Sequence, residues 1–146
     1  MAEVEAIVHV PADRVWAVLS DGWLYSGWVV GATHIREVDS GWPGVGSKIH
    51  HSVGSWPLTI EDTTEVTEVE PGRVLQLLAR AWPAGDAVVR VELTALGPDR
   101  TRVVMKEQAR SGPGKLVPQP LRDLLLVRRN RESLARLTAL ATGREG

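Results

Sequence analysis

The 146-residue chain has no cysteine, no phenylalanine and one tyrosine. Without a thiol there is no disulfide, no thiolate metal site and no cysteine nucleophile. No apolar run approaches the roughly 20 residues needed to span a bilayer. The acidic opening, with Glu3 and Glu5, lacks the basic, apolar and small-residue order of a signal peptide, so a cytoplasmic location is expected. Charge of one sign is also missing: 17 Lys+Arg face 18 Asp+Glu for a net charge of -1, which argues against generic nucleic-acid binding. The Gly-rich loop 41–48 lacks P-loop spacing and leads into a strand, and neither a nucleophile elbow nor a dinucleotide fingerprint occurs, so no cofactor is expected. Lysine (three), isoleucine (four) and asparagine (one) are scarce as well, a pattern that GC-rich coding produces without functional cause. Against these shortages stand six tryptophans, whose flat faces and single N–H donor suit a binding surface.

With 43% hydrophobic and 24% charged residues the chain reads as one globular domain, residues 1–146. Val4, Ala6, Val8 and Val10 alternate with Glu3, Glu5, Ile7 and His9, predicting a half-buried strand over 2–10. Pro11, Asp13 and the spacing of Val15, Val18 and Leu19 predict a first short helix, with Gly22 and Gly27 punctuating a second, together spanning 11–28. Residues 32–110 read as six strands, 33–38, 47–53, 58–69, 73–81, 87–96 and 101–109, joined by Gly- and Pro-rich turns as an antiparallel meander. Helical period returns over 118–142, with Leu121, Leu124, Val127, Leu134, Leu137 and Ala141 on one stripe and Arg122, Arg129 and Arg136 off it. An α+β fold follows, in which one sheet face covers a single long helix.

This order resembles the helix-grip fold of the START and birch-allergen-like (SRPBCC) superfamily, and more narrowly the bacterial polyketide cyclase/dehydrase-like or lipid-transport-like proteins. The residues carrying the resemblance are the opening VPADRVWAVLSD, the segment WPGVGSKIHHSVGSWPL, the strand VVRVELTAL and the closing RRNRESLARLTALA. The resemblance implies a curved seven-stranded antiparallel sheet wrapped around a long C-terminal helix, two short helices between the first two strands, and a deep, mostly apolar cavity between sheet and helix.

Hairpin arithmetic selects the residues that would face that cavity, because a one-residue slip would turn every apolar side chain outward. Pairing Ala81 with Ala87 sets Ala79 beside Val89, Leu77 beside Val91 and Leu75 beside Leu93; pairing Ala95 with Thr101 sets Val91 beside Met105 and Val89 beside Glu107. Glu107 becomes one acid on an apolar face, where desolvation disfavours the charged form and suits a general acid/base or a hydrogen-bond partner for a polar ligand group. A structural carboxylate bonded to a helix-end or loop donor is the plainer alternative. Adjacent strand histidines point to opposite faces, so His50 and His51 cannot chelate one ion, no metal site is expected, and His51 is the inward imidazole. Glu107 and His51 lie several strands apart, which makes a preformed dyad unexpected. Asn130 falls between Val127 and Leu134 on the helix stripe and must either bond a ligand or tie the helix to a strand carbonyl. By the resemblance, Trp28 and Trp56 adjoin the cavity mouth. The acids Glu61, Asp62, Glu65, Glu68 and Glu70 and the bases Arg128, Arg129 and Arg131 read as solvated surface.

Three functions fit. The first is binding or transport of a small hydrophobic molecule, aromatic, polyketide-like or lipid-like, by Trp28, His51, Trp56, Leu77, Ala79, Val89, Val91, Met105, Glu107, Val127 and Asn130, in a monomer or homodimer. The second is an aromatase/cyclase or dehydratase that uses Glu107 or His51 as acid or base. The third is an interaction protein with a filled core.

Overall fold

The computed structural model describes residues 2–29, 34–53, 60–81, 85–112 and 116–143. Strand β1 (Ala2–Val8) is followed by helix α1 (Ala12–Leu19), a single 3-10 turn (Gly22–Leu24) and the one-turn helix α2 (Tyr25–Trp28). Strands β2 (His34–Val38), β3 (Lys48–Val53), β4 (Ile60–Glu70), β5 (Val74–Ala81), β6 (Gly85–Gly97) and β7 (Arg100–Ser111) come next, and helix α3 (Gln119–Gly143) closes the chain. All seven strands form one antiparallel sheet in the order β1-β7-β6-β5-β4-β3-β2. This is the helix-grip arrangement. Among the described residues no helix is long and apolar enough to cross a membrane.

Local chemistry explains the elements. In β1, Ala2, Val4 and Val8 are buried while Glu3 and Glu5 face solvent, the two-residue period of a strand covered on one side. Pro11 sits in extended conformation at the start of α1 with Asp13 in the first turn, and Val15, Val18 and Leu19 bury one face. The Asp21 carboxylate accepts from the Trp23 backbone N–H (3.1 Å) and starts the 3-10 turn. Thr101 donates its hydroxyl to the Val10 carbonyl (2.9 Å), fastening the end of the β1 segment to β7. Register shifts between Ile35 and Glu37, Val66 and Glu68, Asp86 and Ala87, and Ala95 and Gly97 mark bulges, which bend and twist the strands locally.

The β6–β7 register matches the sequence arithmetic, with Val91 opposite Met105 and Val89 opposite Glu107. The β5–β6 register does not. Ala81 pairs with Gly85 rather than Ala87, so Ala79 faces Ala87, Leu77 faces Val89 and Leu75 faces Val91. The shift is two residues, which keeps every apolar side chain on the expected face; the strand reaches closer to the turn because Gly85 adopts φ +106.

The stripe expected along α3 holds only in its C-terminal half. Leu134, Leu137 and Ala141 are buried, whereas Leu121 and Leu124 are 49% and 55% exposed. The helix packs chiefly against β1, α1 and α2, so its first turns have little sheet beneath them to bury leucine. On the outer sheet face Arg90 reaches Glu92 (2.6 Å) and Glu68 (3.1 Å), and Lys106 reaches Glu92 (3.3 Å). Such solvated pairs contribute roughly 0–1 kcal/mol each.

Gly85 is the most constrained position of this frame, since a Cβ there would lie 1.9 Å from the Ser111 carbonyl oxygen. Gly85→Ala should destabilise the fold by about 2 kcal/mol or more, read as a lower urea midpoint. An unchanged midpoint would contradict the close approach of β6 and the end of β7.

Candidate functional site

Where α3 leaves the sheet uncovered, a cavity of about 430 Å³ opens. Its floor follows the sheet register. The row Thr64, Ala79, Ala87, Ala109 and the next, Val66, Leu77, Val89, Glu107, Ala2, run across neighbouring strands, and all but Val66 and Ala2 line the space. Trp28 and Tyr25 of α2 form one wall; Leu125, Leu126, Arg129, Asn130 and Ser133 of α3 form another. Tyr25 and Trp28 meet edge to face at 5.6 Å, one helical turn apart.

Trp28, His51, Leu77, Ala79, Val89, Met105, Glu107 and Asn130 all lie on this cavity. Val91 and Val127 do not. Val91 is fully buried in the core beyond the cavity's end, and Val127 packs against that core from the helix. Trp56 lies outside the described residues.

His50 and His51 point to opposite faces as expected, His50 to Asp39 (3.0 Å) and His51 to Thr64 Oγ1 (3.0 Å). The Thr64 hydroxyl also meets Tyr25 Oη at 3.2 Å, and the Tyr25 and His51 rings lie nearly parallel with centroids 6.1 Å apart. Three buried polar groups thus form a chain: Tyr25 Oη, Thr64 Oγ1, His51 Nε2. Burial pushes the Tyr25 phenol up to about 12 and holds the His51 imidazole below the ordinary histidine value, so both groups favour their neutral forms. Among the described residues His51 Nδ1 has no hydrogen-bond partner, and neither has Asn130 Nδ2. The tie from Asn130 to a strand carbonyl that the sequence allowed is therefore not made by its amide nitrogen.

Glu107 and His51 do not form a dyad. Glu107 accepts a hydrogen bond from Arg129 Nη2, which reaches down from α3. The carboxylate is 6% exposed and the arginine 41%, so the pair is buried at one end and wet at the other. Arg129, read from sequence as solvated surface, belongs to the cavity wall. Its position four residues before Ser133 places it on the same helical face as that cavity-lining serine. Tyr25 and Thr64 were also missed. Tyr25 stands three residues before Trp28, and Thr64 shares strand parity with buried Val66; both spacings carried the signal.

The neutral imidazole has a consequence for stability. Its folded pKa lies below its unfolded value of about 6.5, so the unfolded chain binds more protons across that interval and stability rises with pH through it. The contribution is complete above about pH 6.5 and lost below the folded value. Urea titrations from about pH 5 to about pH 8 should show wild type gaining on His51→Gln up to about pH 6.5, then a constant difference. A difference that is flat or falls over that range would contradict a buried neutral imidazole.

Comparison with known proteins agrees with this geometry. A protein from Nitrosomonas europaea superposes with a TM-score of 0.73 at 16% identity, over 98% of this chain and 94% of its own. The Zhui aromatase/cyclase of a Streptomyces species superposes with a TM-score of 0.62 at 24% identity, over 97% and 91%. The two-domain aromatase/cyclase BexL gives a TM-score of 0.71 at 15% identity, over 97% of this chain and 46% of its own. At these identities the likeness is one of fold. No curated protein matches the chain. A family model described as polyketide cyclase / dehydrase and lipid transport matches residues 1–142, and the chain belongs to that family.

Proposed function

We propose that the protein binds a small, mainly apolar, ring-containing molecule in the cavity between α3 and the sheet. The observation that carries this reading is a space of about 430 Å³ with walls of Leu77, Ala79, Val89, Met105, Leu126 and Trp28. That volume lies in the usual range for small-molecule sites, which combine apolar walls with a few placed polar groups. Here those groups are His51, Asn130, and the Glu107–Arg129 pair. The filled-core reading has no support from a chain with this much internal space.

A second reading, cyclase or dehydratase chemistry, is favoured by one observation: the unpartnered Nδ1 of a neutral, cavity-lining imidazole, the form in which histidine accepts a proton. His51 fits the base role better than Glu107, whose carboxylate already accepts from Arg129. The matching fold of Zhui, an aromatase/cyclase, makes the reaction class relevant without assigning it.

The binding reading is tested with naphthalene as the apolar probe and Ala79→Trp as the variant that fills the floor. Wild type should bind naphthalene in NMR titrations, and Ala79→Trp should bind it at least about tenfold more weakly with its fold retained. Equal affinity in the two proteins would contradict binding in this cavity.

A further inference from the structure

The chain Tyr25–Thr64–His51 holds three exchangeable protons, one on each neutral group, but only two hydrogen bonds join the three groups. Two polarities keep the Thr64 proton within the chain. In the first, His51 Nε2–H donates to Thr64 Oγ1 and Thr64 donates to Tyr25 Oη; Nδ1 then carries a lone pair and the Tyr25 proton is unplaced. In the second, Tyr25 donates to Thr64 and Thr64 donates to Nε2; Nδ1 then carries the proton. His51 is 5% exposed, Thr64 0% and Tyr25 5%, and all three line the cavity, so whatever occupies it decides whether the open ends are satisfied.

We propose that this chain is a reversible oxygen-recognition relay, which accepts a ligand hydroxyl in one polarity and a ligand carbonyl in the other. A hydroxyl donates to the Nδ1 lone pair and accepts the spare Tyr25 proton. A carbonyl accepts from Nδ1–H, while Tyr25 donates to Thr64. The buried Asn130 amide, whose nitrogen lacks a partner among the described residues, supplies a further donor to the ligand oxygen in both cases. Passing between polarities moves the Nε2 proton to Thr64 and the Thr64 proton to Tyr25, while Nδ1 gains a proton and Tyr25 releases one. The count of protons on the protein is unchanged, and a conjugated ligand with a hydroxyl on Nδ1 and a carbonyl on Tyr25 Oη would have the two exchanged, one oxygen losing a proton and the other gaining one as the double bonds between them shift, with no change of oxidation state. The inference rests on the cavity being the ligand site and specifies the chemistry of its polar end.

The test compares 2-naphthol with naphthalene and 1-tetralone with tetralin, with His51 followed by nitrogen-15 NMR. Each oxygenated probe should bind about tenfold more tightly than its hydrocarbon. 2-Naphthol should shift His51 to the Nε2–H tautomer, and 1-tetralone to Nδ1–H. Tyr25→Phe leaves the Thr64 proton unplaced only in the first polarity, so it should lose the gain for 2-naphthol and keep most of that for 1-tetralone. If the hydrocarbons bind but oxygen adds nothing, or if both probes give the same tautomer, the relay is overturned and the apolar cavity stands. If neither hydrocarbon binds, the cavity reading falls and the relay with it.

Discussion

The contact between Arg129 and Glu107 is where helix and sheet meet across open space. Elsewhere α3 is held by Leu134, Leu137 and Ala141 packed against β1, α1 and α2. Towards its N-terminus the packing is thinner, and a long side chain, Arg129, links it to a carboxylate buried in an apolar row. A buried carboxylate without a partner is expensive, so Glu107 holds Arg129 inward. The arginine spans the gap without filling it. A leucine at position 107 would remove the reason for that geometry, and the helix could settle onto the sheet.

The polar groups of the cavity follow from the same division. Where the helix seals the sheet, the inward residues are chiefly Val and Leu; where it stands away, Thr64, His51, Asn130 and Ser133 join the apolar side chains that face inward. Each costs stability if left unsatisfied. Thr64 resolves two of these costs by bonding both Tyr25 and His51, which leaves, among the described residues, Nδ1 and the Asn130 amide nitrogen without a partner on two cavity-lining side chains. The site is thus a core left unfinished at one end, with its unmet hydrogen-bonding capacity confined to a few atoms.

Much of this was legible in the sequence because sheet faces obey a period of two. The inward positions of His51 and Glu107, the split of His50 from His51 and the β6–β7 pairing all follow from alternation. Alternation cannot see a shift of two, and so the β5–β6 register was misplaced while its face was right. The helix was harder for a different reason. Reading apolar as inward assumes a filled interior, but beside a cavity Arg129 points in while Leu121 and Leu124 stay exposed; Asn130 alone among the polar inward residues of the helix was legible from its place on the stripe. The Tyr25–Thr64–His51 chain joins α2, β4 and β3, and no local pattern shows a contact made across 39 residues of sequence.

The central claim, that an apolar ring enters the space under α3, is tested most directly at Met105. The chain has two methionines, and Met105 lies buried on the cavity wall. In protein carrying carbon-13 methionine methyl groups, bound naphthalene should give nuclear Overhauser contacts to the Met105 methyl. Saturating naphthalene with no contact to Met105 would contradict the account.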